Sequence, residues 1–557
     1  MGQEISMLRL SELKLPLDHA EDALQKAVLK RLRIPPDDVF EQRLVKRSID
    51  ARRRDQIQLI YSVDVRVRGE AALLRRLGKT SRVRQAPDTT YKPVAQLPRA
   101  GLDQGEHRPV VVGAGPCGYF AALLLAQMGF RPLLLERGEP VKQRTLQTFA
   151  FWRGETGIDP ESNAQFGEGG AGTFSDGKLY SQVSDPEHYG RKVLEELVAS
   201  GANEDILTLQ RPHIGTFKLA TVVRGLRARI EALGGEVRFS SRVERLRLDP
   251  SEGEKSHQLV GLDLANGDAI PCRHLVLAPG HSARDCFAML EQIGVQIEAK
   301  TFSVGVRIEH PQPLIDAARW GPSAGHPRLG PAEYKLVHHA TNGRCVYSFC
   351  MCPGGFVVGA TSEVGRVVTN GMSQHSRNER NANSGLVVQL QPEDLAPYER
   401  HPGDPLAGVA LQRDLEHRAY LLGGSTYAAP AQRLEDFLAN QPSESLGSIA
   451  ASYQPGVQPS DLNALLPPPM IAALREALPA FARRVRGYDH PDAVLTGVET
   501  RTSSPVRIPR DLALESVNVR GLFPAGEGAG YAGGILSAGI DGIRAAEALA
   551  LQMVAGA

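Results

Sequence analysis

Two glycine-rich segments at opposite ends of the 557-residue chain, Val110 to Gly118 and Gly521 to Gly542, constrain its fold more than any other feature. The first has the form strand, turn, helix. Pro109-Val110-Val111-Val112 is an apolar run of strand length, Gly113-Ala114-Gly115-Pro116-Cys117-Gly118 follows at once, and Tyr119 to Met128 is an apolar helical stretch. In a dinucleotide-binding turn Gly113 makes the tight bend, Gly115 lets the backbone approach a pyrophosphate and Gly118 lets the helix pack close to the strand, with Pro116 in the same turn. The unpaired N–H groups of the helix start, with their partial positive charge, suit phosphate. A second buried strand, Pro132-Leu133-Leu134-Leu135, ends in Glu136, near the offset of about 20 residues where a carboxylate accepts both ribose hydroxyls. Arg137 follows it and joins the same group of binding residues.

This half alone does not separate FAD from NAD. The C-terminal half does. Leu522-Phe523-Pro524-Ala525-Gly526-Glu527-Gly528-Ala529-Gly530 is a short apolar strand running into a glycine-rich turn, and Ile540 to Leu551 then has the apolar period of a helix. The segment resembles the late segment of glutathione-reductase-type flavoproteins, which brings an acidic residue to the ribityl-phosphate and helix N–H groups to the flavin O2. That acid is Glu527 here, with aspartate more usual. The Gly533-Gly534-Ile535 backbone is expected against the pyrimidine edge of the ring.

Between the two ends lies Gln165-Phe166-Gly167-Glu168-Gly169-Gly170-Ala171-Gly172-Thr173-Phe174-Ser175-Asp176-Gly177-Lys178. Its glycines leave backbone N–H groups open, so the loop can lie against a pyrophosphate or a flavin face. Gly170, Ser175 and Asp176 are therefore expected at the cofactor. Lys178 is the candidate for placing positive charge at the flavin N1/O2 edge, where reduction leaves an anion. Ser241-Arg242-Val243 resembles the segment where flavoproteins of this class set a backbone valine against adenine, which implies that contact for Val243. Leu275-Val276-Leu277-Ala278-Pro279-Gly280 is a buried strand and turn that resembles their second FAD-contact motif, with proline for the usual threonine, which implies Pro279 and Gly280 at FAD. His281 follows that turn and is the candidate proton donor. Cys350-Met351-Cys352 reads as buried packing, because in a regular strand the two thiols share a face about 7 Å apart, too far for a disulfide.

The pattern predicts an α/β protein: a discontinuous, glutathione-reductase-type FAD-binding Rossmann domain, an inserted α+β substrate domain, and an N-terminal α+β domain of ferredoxin-like type. The N-terminal module spans residues 1–95. Its strand begins at Ser6, Asp18 caps a helix through Leu32, Arg43 to Ile49 and Gln56 to Val67 form a hairpin, and a second helix lies around Ala71 to Leu77. A Pro-rich linker covers 96–108. FAD-binding parts fall at 109–150, 213–290 and 494–557, with a flavin-contact loop at 151–212 and the insert at 291–493. Within the insert, Val304 to Ile308, Arg344 to Met351 and Phe356 to Thr361 alternate as strands, and Leu411 to Pro479 reads as helical with Pro-rich breaks.

The net charge of +1 selects no charged partner for the whole chain. Lys26 to Arg84, however, carries an excess of about ten positive charges, so the N-terminal module could bind RNA or another polyanion. Six cysteines without a CxxC pair or a disulfide framework, and no secretory h-region before them, fit a reducing cytoplasm. Met1-Gly2-Gln3-Glu4-Ile5-Ser6 formally matches a myristoylation pattern, and no apolar run reaches the roughly 18 residues that span a bilayer. No metal site is expected, and the sequence leaves the oligomeric state open.

With Asn163 to Leu179, Phe349-Cys350-Met351-Cys352-Pro353-Gly354-Gly355, Val367-Val368-Thr369-Asn370-Gly371-Met372-Ser373 and Gly526 to Ile535 in view, the chain resembles the bacterial family of long FAD-dependent dehydrogenases that lack an assigned substrate. The resemblance spans nearly the whole chain and implies the three-domain arrangement above. Phe217 departs from it, standing where relatives are expected to carry aspartate. The function expected is hydride transfer between flavin N5 and a small organic substrate. Nothing resembles a second nucleotide-binding fingerprint, so either NAD(P)H docks transiently as electron donor or the substrate itself reduces the flavin. The alternative is an RNA- or polyanion-associated protein whose FAD is structural or redox-sensing.

Overall fold

A computed structural model describes residues 7–78, 82–97 and 108–555. The myristoylation pattern and most of the linker at 96–108 lie outside the described residues.

Three-residue strands from distant parts of the chain, four of them apolar, meet in one five-stranded parallel sheet, ordered Leu522–Pro524, Leu275–Leu277, Val110–Val112, Leu133–Leu135, Glu236–Arg238. A parallel sheet is stable only with both faces covered. One face carries the helices Pro116–Gln127, Thr216–Ala232 and Ile535–Ala555. Every residue from Cys117 to Ala126 is buried, as a helix that is apolar all round must be. The other face packs on a small sheet built from Val243–Pro250, His257–Leu264, Ala269–Pro271 and Val519–Arg520.

The second body is an eight-stranded sheet with the path Val337–His339, Cys345–Gly359, Asn381–Gln389, Ser303–Pro311, Val494–Glu499, Ala429–Arg433, Val457–Pro459; Thr369–Ser373 pairs off the path with Cys345–Gly359. Three sequence expectations change here. The strands expected at Arg344 to Met351 and Phe356 to Thr361 are one 15-residue strand with two register shifts, the bulges having read as a break. The stretch from Leu411 to Pro479 also contains the strands Ala429–Arg433 and Val457–Pro459, which are too short to impose a period on a Pro-rich sequence. Val494–Glu499, assigned to the start of the third FAD-binding part, instead pairs with Ser303–Pro311 and Ala429–Arg433. An apolar strand carries no mark of which sheet it joins.

The N-terminal module runs Leu8–Pro16, Ala23–Leu32, Val39–Asp50, Gln58–Val67, Glu70–Leu77, Val83–Gln85, with all neighbouring strands antiparallel and Leu8–Pro16 between Gln58–Val67 and Val83–Gln85. This is a βαββαβ connection. Asp18 does not cap the first helix, which starts five residues later. Its carboxylate instead accepts from His326 Nε2 at 2.8 Å, tying the module to the large sheet's domain. Arg328 donates to the Leu17 and His19 carbonyls, and the two bodies share one apolar core. Within the module Arg9 pairs with Asp64, Arg52 with Asp50, Arg66 with Glu41 and Arg68 with Asp38.

Candidate active site

Where the parallel strands end, a cleft of about 400 Å³ opens between the two bodies. Gly113, Gly115 and Pro116 line it from the first turn; Glu136, Arg137 and Val243 line one end; Gly170, Ser175, Asp176 and Lys178 come from the central glycine loop. Pro279, Gly280 and His281 form one side, and Gly526, Glu527, Gly533, Gly534 and Ile535 enter from the C-terminal segment. Gly118 alone among the expected residues lies outside the lining. A Cβ there would stand 1.8 Å from the Gly113 carbonyl oxygen, so the glycine acts by letting the helix start close against the turn. Across the cleft floor a Cβ on Gly170 would come within 2.9 Å of Gly115 Cα, so two glycine segments more than fifty residues apart touch because Gly170, at φ 60°, has no side chain.

The expected polar groups divide by what they already hold. Glu136 is buried, and its carboxylate accepts from the backbone N–H groups of Ala114 at 2.7 Å, Gly138 at 3.0 Å and Gly167 at 2.9 Å. It therefore ties three loops together besides facing the cleft. Ser175 Oγ is used within its own loop, donating to the Gly172 carbonyl at 2.6 Å and accepting from Gly177 N. Asp176 is buried in a two-point ion pair with Arg377, which also meets Glu333 at 3.0 Å. The polar side chains of the loop thus brace it, and what it offers the cleft is chiefly backbone. Arg137 binds Glu161 at 2.8 Å and Asp285 at 3.0 Å, with Phe166 under its guanidinium.

Three groups acquire unusual protonation. Burial, with the charges of Arg501 and Arg284, pushes His281 down to about 3, so its imidazole is neutral at pH 7. Burial pushes Glu527 up to about 8 against the opposing pull of Lys300, so the residue expected as an acceptor is a neutral acid that can donate. Lys178 is raised in spite of burial, because Asp176 lies 3.8 Å away, and its ammonium donates to the Met351 carbonyl.

The wall contributed by the large sheet escaped the sequence reading. Phe349, Cys350, Asn370, Arg501 and Thr502 line the cleft. Behind them Glu416 is fully buried between Arg284, at 2.5 Å, and Arg501, at 3.2 Å, and also accepts from Thr500 Oγ1 at 2.7 Å. Arg501 reaches forward to Ser282 and Ser362. Fully buried Arg144 does similar work for the glycine loop, donating to the carbonyls of Asn163, Gly167 and Glu168. Buried charges survive only when paired, and a lone Arg or Glu in a sequence does not announce its partner; the polar run Thr500-Arg501-Thr502 after a buried strand was the one available signal. Outside the cleft, Glu291, His401 and Asp404 bring ligand atoms within 4.8 Å of one another, but Arg400 already pairs with both carboxylates.

The cleft fits an extended dinucleotide. Its floor is backbone from two glycine turns, a helix N-terminus opens onto it, and Gly533 has nothing within 4 Å of a notional Cβ.

A family described as FAD-dependent protein, C-terminal domain-like, matches residues 301–502, and a domain of unknown function matches residues 7–66. A protein of Clostridium beijerinckii, named only as uncharacterized, is 43% identical over 543 residues, covering 97% of this chain and 98% of its own. Among solved structures, 3-ketosteroid-delta4-(5alpha)-dehydrogenase from Rhodococcus jostii RHA1 in complex with 4-androstene-3,17-dione overlaps 82% of this chain and 99% of its own at 13% identity, with a TM-score of 0.33. CtdE in complex with FAD overlaps 81% and 84% at 12% identity, with a TM-score of 0.30. The match at 301–502 ends just beyond Val494–Glu499, the strand that the large sheet claims.

Proposed function

The chain belongs to the family of the Clostridium beijerinckii protein, and from that premise we propose that it is an FAD-dependent oxidoreductase that moves a hydride between flavin N5 and an organic substrate presented by the large sheet's domain. FAD is its cofactor. The observation that carries the reading is the convergence of Gly113–Pro116, Gly170 and Gly526–Ile535 on one cleft whose far wall comes from a different domain. In this reading the parallel sheet and its helices form a glutathione-reductase-type domain in several pieces, the third starting beyond Thr502, and the N-terminal module is ferredoxin-like.

When bound, FAD supplies two-electron hydride chemistry, and the protein supplies orientation and exclusion of water. Gly113, Gly115, Pro116 and the helix start would hold the pyrophosphate; Glu136 would hold the ribose hydroxyls, with Arg137 and Val243 at the adenine end. Gly533, Gly534 and Ile535 would meet the pyrimidine edge, and Pro279 and Gly280 the ring's other border. A neutral Glu527 donates to a phosphate or ribityl oxygen without adding a negative charge beside the pyrophosphate. Lys178, held charged by Asp176, places its charge where reduction leaves an anion. His281, being neutral, positions through its hydrogen bond with Ser282.

The substrate is a small molecule, and either NAD(P)H or the substrate itself brings the electrons. Among the described residues no helix is long and apolar enough to cross a membrane. The purified protein should be yellow and release a single FAD per chain on denaturation. Adding metabolite pools to the oxidised and reduced protein while following flavin absorbance would find the substrate class; a colourless protein that binds no added FAD would end this reading.

A further inference from the structure

Cys350-Met351-Cys352 does not have the geometry of the regular strand that sequence alone suggests. Pairing with the neighbouring strand steps from Phe349↔Gly385 to Cys352↔Asn383, three residues against two, which is a bulge. Cys350 sits in its midst at φ 43°, the left-handed region that side chains other than glycine rarely adopt. Such local strain persists where the surroundings impose it, and it concentrates at functional sites.

The bulge changes where the thiols point. Instead of standing apart on one face, the pair folds back on itself, and the Cys352 thiol donates to the Cys350 carbonyl oxygen at 3.3 Å. Cys350 lines the cleft, while Cys352 is fully buried behind it. Two cations bracket the pair: the Lys178 ammonium donates to the Met351 carbonyl, and Arg307 Nη1 donates to the Cys350 carbonyl at 3.3 Å. Hydrogen bonding from Cys352, with Lys178 and Arg307 nearby, favours the thiolate of Cys350, and Cys352 is correspondingly disfavoured as a thiolate. An outer thiolate next to a buried partner thiol, in an electropositive pocket, is the arrangement of reactive dithiols and not of inert packing.

On the reading that FAD occupies this cleft, we propose that Cys350 and Cys352 form a dithiol–disulfide couple that exchanges two electrons with the flavin. In the oxidising direction the Cys350 thiolate and the Cys352 thiol give up two electrons and one proton as the sulfur–sulfur bond forms. The flavin takes both electrons and one proton, which leaves the anionic reduced form. In the opposite direction the reduced flavin returns two electrons and a proton, and the disulfide opens to the Cys350 thiolate and the Cys352 thiol. Cys350, being the one exposed to the cleft, faces the flavin; Cys352 closes the bond from behind. The couple lets each chain store a second pair of electrons between its donor and its substrate.

Thiol counting on the full FAD-loaded protein tests this without measuring turnover. Alkylation after denaturation should label two thiols fewer than the six in the sequence when the protein has been oxidised, and all six after anaerobic dithionite reduction. The fragment holding Cys350 and Cys352 should be lighter by two hydrogens in the oxidised sample. A reductive titration should then take up two two-electron equivalents per FAD in the wild type and one in Cys350→Ser, with the flavin still bound. Retained FAD with six labelled thiols in both states, and a single two-electron uptake in the wild type, would overturn the couple alone. A protein that retains no FAD would overturn both the couple and the flavin reading.

Discussion

The floor and the far wall of the cleft are built on opposite principles. The floor is glycine and backbone: Gly113 and Gly170 work by what they lack, and the contact between Gly115 and Gly170 depends on the missing side chain of Gly170. The wall is long side chains and buried charge: Arg284, Glu416 and Arg501 form one triple, and Arg307, Glu499 and Asn383 form another group, with separations of 2.5–3.2 Å. A floor of backbone can hold an invariant cofactor whose phosphates want N–H groups. A wall of paired charges fixes a rigid, polar surface in which a few groups that line the cleft, such as Phe349 and Asn370, can be exchanged to suit a substrate.

On that contrast, damage to the floor removes cofactor and damage to the wall removes stability. The largest effect is expected from Gly115→Trp. The ring would fill the gap between the first turn and Gly170, and the purified variant should carry no FAD, read as the ratio of flavin to protein absorbance, while its far-UV spectrum stays native. Full FAD occupancy would move the phosphates elsewhere.

Breaking the wall should do the reverse. Glu416→Gln leaves buried Arg501 without its counter-charge and Arg284 with Glu363 alone, which costs about 3–5 kcal/mol and should show as an earlier thermal transition, with the FAD ratio of the remaining folded protein unchanged. Burial alone would raise the Glu416 carboxyl, but the Coulomb attraction of Arg284 and Arg501 holds it well below its usual 4.5. A depressed folded-state pKa means the stabilisation is complete above the unfolded value and lost as pH falls below it. Wild-type stability should therefore drop on acidification through that range, and the Gln variant should lose part of this dependence. Parallel acid curves for the two would show that the triple contributes nothing.

Glu136 stands where floor and ribose meet, so Glu136→Ala should be intermediate. Loss of a charged acceptor weakens FAD binding by about 1.5–3 kcal/mol. Its three backbone partners add a second consequence that sequence alone did not foresee: the melting temperature of the FAD-free protein should fall too. An unchanged dissociation constant with a lowered melting temperature would leave Glu136 a purely structural tie.

The same contrast explains what could be read in advance. The first turn, Glu136 and the C-terminal segment are local signals, in which a glycine spacing or a strand ending in an acid implies its own geometry within a few residues. The two halves of the site could be joined because each had a recognisable form. The partners of Asp176 and Glu416 could not, since Arg377 is 201 residues from Asp176 and Arg284 is 132 from Glu416. Likewise the protonation of His281 and Glu527 depends on burial by a domain whose docking no local pattern encodes. The bulge at Cys350 failed for a different reason: alternation counts residues, and one inserted residue reverses which side each thiol faces.

The smallest expected effect lies on the seam between floor and wall, at Lys178. It belongs to the glycine loop, yet its ammonium reaches the Met351 carbonyl of the large sheet and lies 3.8 Å from Asp176. Asp176 is itself engaged by Arg377, so neutralising Lys178 leaves that carboxylate paired and should not unfold the loop. What changes is the field in the cleft. A positive charge favours the anionic reduced flavin over the neutral oxidised one, so Lys178→Met should lower the midpoint potential with FAD still bound. A shift of about 30 mV would correspond to roughly 1.4 kcal/mol for a two-electron couple. Spectroelectrochemical titration of the Cys350→Ser background, with and without Lys178→Met, isolates the flavin from the thiols. Identical potentials in that pair would place Lys178 with the wall, as a brace for the Cys350 bulge, and remove it from the flavin's electrostatics.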